Sequence, residues 1–168
     1  NGASGTIGGS SGNMTPGGYT TASGMSSVAI GYKSTASANG AYAIGAQAVG
    51  GGMNAYAIGM ESKALGDNSF ALQGGYTGTT ARNSIAMGFG TKATGRGAIA
   101  IGNEASGSNS QTEASGNHSI AMGWNAQAMG PTSLAISTGT DNSVTKATGN
   151  GSIAIGQNVI ASGHISTA

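Results

Sequence analysis

Gly8-Gly-Ser-Ser-Gly12 has the G-x-S-x-G spacing of a nucleophile elbow, where a strand-to-helix turn presents a serine to a paired histidine and acid. No strand-then-helix pattern or His–acid pair accompanies it, so the match reads as coincidence. Gly95-Arg-Gly-Ala-Ile-Ala100 resembles a dinucleotide loop only in its glycines, because no βαβ unit surrounds it. His118 and His164 fall in different repeat units at turn positions, without acidic or cysteine partners at metal-ligand spacing, and read as solvated turn residues. Asp67 and Asp141 stand alone, and the calcium-roll pattern G-G-x-G-x-D is missing. No acid, base and nucleophile converge, so no catalytic residue, metal ligand or cofactor is expected and the chain does not read as an enzyme.

The composition points the same way. Glycine accounts for 33 of 168 residues, about three times its usual share of ~7%, and charged residues fall to 7% against an ordinary ~25%. Collagen is excluded, since there are two prolines, Pro16 and Pro131, and no G-X-Y register. A formal charge of +1 with six scattered Lys and Arg gives neither a nucleic-acid stripe nor a polybasic membrane patch. No apolar run is long enough to span a bilayer, and Asn1-Gly-Ala-Ser lacks the features of a signal peptide, so the chain reads as a segment of a longer protein. The absence of cysteine decides little about compartment.

What positions the residues is a repeat. The pattern small–apolar–Ala–apolar–Gly begins at Ser27, Ala41, Ala55, Ser69, Ser84, Ala98, Ser119, Ser133 and Ser152, giving nine units whose basic length is fourteen. Small residues recur seven and nine positions after each start and glycine usually eleven after, as in Ser62, Ala64 and Gly66. The residue before a start is often Asn or Gly (Gly40, Asn54, Asn68, Asn83, Gly97, Gly151), types that accept positive φ in a tight turn. Each unit therefore reads strand, turn, strand, turn, with strands of about five residues forming one coil of a parallel β-solenoid. Nine coils at ~4.8 Å make a rod on the order of 45 Å long. Residues 1–26 read as a degenerate N-terminal cap, in which Gly8–Gly12 is out of register and free to fray. Residues 27–168 read as the nine coils plus the start of a tenth at Ser166-Thr-Ala168. Three units carry extra residues, expected at the first corner of each coil, after Leu72, Gly102 and Ile136.

The first strand is apolar at all three central positions, as in Val28-Ala-Ile30 and Ile153-Ala-Ile155, so both of its faces avoid water. The second alternates small and polar residues, as in Glu61-Ser-Lys-Ala64, and has one dry face. The second apolar face of the first strand then needs another chain. One placement puts the large pair inside each coil, with Ala29, Ala43, Ala57, Ala71, Ala86, Ala100, Ala121, Ala135 and Ala154 lining the subunit interface. The reverse placement is the alternative.

Ser27-Val-Ala-Ile-Gly31 with Ser34, and Asn83-Ser-Ile-Ala-Met-Gly88, resemble the head repeats of trimeric autotransporter adhesins, the YadA-like family of bacterial surface proteins. The resemblance covers roughly residues 27–166. It implies a left-handed parallel β-roll, a homotrimer, and a head carried at the bacterial cell surface on an outer-membrane anchor. It further implies adhesion to an extracellular-matrix protein such as collagen, or to a cell-surface receptor. The family motif maps to Ser27, Val28, Ala29, Ile30, Gly31 and Ser34 and to Asn83, Ser84, Ile85, Ala86, Met87 and Gly88, which the burial pattern makes structural first. A ligand is better placed on exposed positions: Lys33, Glu61, Lys63, Lys92, Glu104 and Trp124, together with the corner loops. Neither nucleic acid nor direct membrane contact is expected. The alternative function is a trimeric phage or secreted fibre segment serving as a spacer.

Overall fold

The computed structural model describes residues 5–7, 19–103, 111–139 and 144–168, the first three by backbone alone. Twenty short strands, numbered in chain order, alternate between two ten-stranded parallel sheets. The first sheet holds Gly5–Ile7 (β1), Val28–Ile30 (β3), Tyr42–Ile44 (β5), Tyr56–Ile58 (β7), Phe70–Leu72 (β9), Ile85–Met87 (β11), Ile99–Ile101 (β13), Ile120–Met122 (β15), Leu134–Ser137 (β17) and Ile153–Gly156 (β19). The second holds Thr21–Ala22 (β2), Thr35–Ala36 (β4), Val49–Gly50 (β6), Lys63–Ala64 (β8), Tyr76–Thr77 (β10), Lys92–Ala93 (β12), Glu113–Ala114 (β14), Ala126–Ala128 (β16), Thr145–Ala147 (β18) and Ile160–Ala161 (β20). Each strand pairs with its equivalent one coil away, so Ala29 lies in register with Ala43, and Ala43 with Ala57. This is the expected all-β parallel solenoid. Its strands span two to four residues, shorter than expected, because the turn residues take up the rest of each coil.

The cap joins the same ladder. β1 pairs with β3, and Ala22 lies in register with Ala36; Gly8–Gly12 lies outside the described residues. At the other end Thr167 bridges to Ile153, which continues the repeat into a tenth coil.

The structure overturns the expected placement of the alanines. Ala29, Ala43, Ala57, Ala71, Ala86, Ala100, Ala121, Ala135 and Ala154 are fully buried within the single chain, so they cannot form an intersubunit surface. They face the inner side of the second sheet, where Ala36, Ala64, Ala93, Ala114, Ala128, Ala147 and Ala161 are buried too. Every buried hydrophobic residue among those described is alanine, and the bulkiest fully buried side chains are Asn125 and four threonines. Corners of so few residues hold the two sheets too close for anything larger, so the large pair of each unit turns outward.

Serine is accepted in this core because its hydroxyl is satisfied locally. Ser27, Ser84, Ser119, Ser133 and Ser152 each donate to the carbonyl three residues earlier, at 2.6 to 2.7 Å. A buried hydroxyl left unpaired would instead be destabilising by about 1–3 kcal/mol. The alanine core divides at coil 4, the unit that starts at Ser69, where Ser69 and Thr77 share a buried hydroxyl–hydroxyl contact of 2.8 Å.

Two insertions lie where expected, between Ile101 and Glu113 and between Ser137 and Thr145, with much of each loop outside the described residues. The third does not. Coil 4 is one residue short at its first corner and two residues long at its second, as fixed by the registers Tyr76 with Lys63 and Tyr76 with Lys92. Its first corner is the tight turn Leu72-Gln-Gly-Gly75, closed by Gly75 N–H donating to the Leu72 carbonyl at 3.1 Å, with Gln73 and Gly74 at φ 51° and 78°. The unit total of fifteen conceals the two opposite changes.

Substitution of Ala100 by Leu should overpack the gap between the sheets and lower stability by about 1–3 kcal/mol. Gln127→Leu, on the outer face of the second sheet, should change it by less than about 0.5 kcal/mol. Thermal melting followed by circular dichroism reads both, and equal losses would contradict the inward placement of the alanine column.

Candidate functional site

Four outer surfaces remain once the small residues are inside: the outer face of each sheet and the two corners. The first sheet presents two parallel columns. One runs Val28, Tyr42, Tyr56, Phe70, Ile85, Ile99, Ile120, Leu134, Ile153 and the other Ile30, Ile44, Ile58, Leu72, Met87, Ile101, Met122, Ile136, Ile155. All are half-buried or exposed, up to 50% at Ile155, and no polar side chain interrupts either column. Tyr42, Tyr56 and Phe70 stack face to face, with ring centroids 4.8 and 4.6 Å apart. A soluble surface rarely leaves a continuous apolar strip of this length in water.

The second sheet presents a mixed column: Thr35, Val49, Lys63, Tyr76, Lys92, Glu113, Gln127, Lys146 and Ile160. The corner between second and first strands is polar. There the Asn39, Asp67 and Asn117 side chains accept the backbone N–H of Met25, Met53 and Arg96 at 3.0 to 3.1 Å, each tying one coil to the next. Arg82 pairs with Asp67 across the same corner at 3.5 Å. His118 and His164 are both exposed at this corner, and among the described residues no three His, Cys, Asp or Glu side chains come together.

The proposed ligand residues are distributed unequally. Lys33 and Glu61 are exposed at the first corner with φ 56° and 60°, and the Lys33 Nζ sits 5.2 Å from the Tyr32 ring centroid. Lys63 and Lys92 lie on the outer column of the second sheet, on either side of Tyr76. Glu61, Lys63 and Lys92 converge on one notch of about 280 Å³, together with Gln47, Gly74, Tyr76, Phe89, Gly90, Thr91 and Gln111. The shortened corner of coil 4 creates it, because the corners of coils 3 and 5 project past it on either side. Lys33 and Trp124 lie elsewhere, and Glu104 is outside the described residues. Trp124 is half-buried at the first corner of coil 7, its Nε1 enclosed without a hydrogen-bond partner, as are the side-chain N and O of Asn125 beside it. Tyr76 and Phe89 were not anticipated from sequence; the signal was the unit's misplaced length, which only strand register resolves.

The family motif builds the coil. Ser27, Ala29, Ser34, Ser84 and Ala86 are buried, Asn83 occupies a left-handed turn at φ 56°, and Gly31 and Gly88 take φ 122° and 110°. A Cβ on Gly88 would collide with the Gly102 carbonyl oxygen of the next coil. Of the motif's large side chains, Val28, Ile30, Ile85 and Met87 reach the surface on the apolar face, and Asn83 is exposed at its turn.

Stacked coils of this length, a small-residue core and an apolar outer strip define a parallel β-solenoid. The model of the YadA head domain repeat matches residues 22–48, 51–72, 80–105, 105–126, 114–136 and 145–158, more than half of the chain. The chain belongs to the YadA head family, the adhesin-head repeats of trimeric autotransporters. That family is one of surface-exposed adhesin domains and is not known as enzymatic. No curated protein matches the sequence.

If the motif is scaffold, Gly88→Ala should lower stability by about 1–3 kcal/mol through backbone strain and the clash. Asn83→Gly, at a φ both residues accept, should change it by less than about 1 kcal/mol. Thermal midpoints check the pair, and an unshifted Gly88→Ala protein would refute the scaffold reading.

Proposed function

We propose that this chain is the non-catalytic head of a bacterial trimeric autotransporter, assembled from three copies through the apolar face of the first sheet. The head then binds a host extracellular-matrix protein, collagen-like or similar, or a receptor on another cell. The observation that carries the assembly is the pair of uninterrupted apolar columns from Val28 to Ile155, which a lone chain leaves half in water. Isoleucine, leucine, methionine and stacked aromatic rings on this face suit burial against copies of themselves; the number three and a left-handed winding are part of the proposal and are supported by the family resemblance alone. The second sheet and both corners stay outside in this arrangement. Each contact there is presented three times on a stiff rod, so weak binding gains through avidity. Anchoring in the outer membrane is part of the same proposal and rests on the family.

Sedimentation equilibrium tests the assembly. The chain should run at about 48 kDa, three times 16.0 kDa, and Ile99→Asp with Ile101→Asp should release folded monomers, because a buried unpaired charge is strongly disfavoured. A stable 16.0 kDa monomer at micromolar concentration would contradict it. A panel of immobilised matrix proteins, collagen included, tests adhesion by the purified trimer; silence across the panel would favour the spacer reading.

A further inference from the structure

We propose that the notch on coils 3 to 5 is a binding site for an acidic sugar residue, one carrying a carboxylate or a sulfate within a glycan chain. This names a ligand class for the adhesive head and rests on that reading only in keeping the second sheet outside the assembly.

Tyr76 points outward from β10, with Lys63 in register on one side and Lys92 on the other. Two strand steps separate the lysines, about 10 Å at the backbone. The ion pair found among the described residues is Arg82 with Asp67; Glu113, in register with Lys92 on its far side, and Glu61 on the notch wall share this surface with the lysines without forming an ion pair. An aromatic face between two unpaired ammonium groups fits a pyranose: the ring's C–H face lies on Tyr76 while an anionic substituent reaches a lysine. Phe89, 54% exposed, leans over Gly74 from coil 5 and forms a second apolar wall. Gln47 and Gln111 supply amides, and Glu61 a carboxylate, to sugar hydroxyls at the rim. The notch, at about 280 Å³, falls just under the ~300 Å³ at which drug-sized ligand sites begin, and so suits one sugar ring.

An acidic peptide fits less well. Extended peptides gain affinity by adding a strand to an open sheet edge, and here β8, β10 and β12 are each paired on both sides. A peptide would have only its side chains to offer. The site is also not a general property of the repeat, because it depends on the short corner Leu72–Gly75 of coil 4.

The test is titration calorimetry on the whole chain with four hexameric probes: a heparin-derived oligosaccharide, oligogalacturonate, maltohexaose and hexaglutamate. One or both acidic oligosaccharides should bind, the sulfated and carboxylated arms telling the two anions apart, with maltohexaose and hexaglutamate at least about tenfold weaker. Tyr76→Thr, which installs the residue found at the equivalent Thr35, and the double change Lys63→Gln with Lys92→Gln should each weaken binding by about tenfold, the scale of a lost charge-assisted contact. Lys146→Gln, on the same column but outside the notch, should change it by less than about twofold. Circular dichroism and sedimentation of the same samples establish that fold and assembly are retained, so a failure here is separable from a failure of the trimer. Absence of binding by both acidic oligosaccharides, equal binding of hexaglutamate, or indifference to Tyr76→Thr would overturn the proposal.

Discussion

The gap between the two sheets governs everything else in the molecule. Two strands per coil, joined in the basic unit by corners of four or five residues, leave room between the sheets for Ala, Ser, Thr and Gly but for no large apolar side chain. Dispersion and hydrophobic gain per coil are correspondingly small, and the fold compensates by repetition: each coil contacts its neighbours through backbone ladders in both sheets, and stability accumulates along the rod. Internal serines fit this economy because the hydroxyls at the start of the units, as at Ser27 and Ser84, find a carbonyl three residues back. The same narrowness expels Val, Ile, Leu, Met and the aromatic residues to the outside. An apolar outer face is therefore a direct consequence of a small-residue core.

The faces then divide their work. The first sheet, wholly apolar, suits association with other copies, while the second sheet carries three of the four lysines on one column, Lys63, Lys92 and Lys146. The corner between coils is held by asparagine and aspartate side chains that accept backbone N–H groups. With assembly, cohesion and exposure on separate surfaces, outward residues of the second sheet can change without disturbing the core. Coil 4 shows how a local recess arises in a uniform rod: one residue lost at the first corner, offset by two gained at the second.

Much of this was legible in the sequence. Fourteen-residue spacing and the doubly apolar first strand pointed to two parallel sheets, and Asn or Gly before six of the nine units marked turns that adopt positive φ, from Gly40 at 66° to Gly151 at 65°; Ser26, His118 and Thr132 take the same conformation before the other three. The orientation of the first strand was not legible, because Val-Ala-Ile reads as apolar on both faces and periodicity alone cannot say which is inside. The deciding quantity, the sheet separation, is set by corner geometry. The uniformly small partners Ala36, Ala64 and Ala93 were a clue to a thin core, and large-on-small packing was a competing solution that the corners do not allow. The notch was half legible: Lys63 and Lys92 were singled out as exposed charges, but the unit's length assigned the change at coil 4 to the wrong corner and hid Tyr76 between them.

Thiol labelling can distinguish the two faces of the first strand directly, since the chain contains no cysteine. Ala100→Cys and Ile101→Cys, made singly, would be labelled in the assembled protein and again in a version dissociated by Ile85→Asp. The account predicts that the cysteine at 100 stays protected in both, while the one at 101 is protected in the assembly and reacts once the copies separate. A cysteine at 100 that becomes reactive on dissociation, with 101 protected throughout, would contradict it.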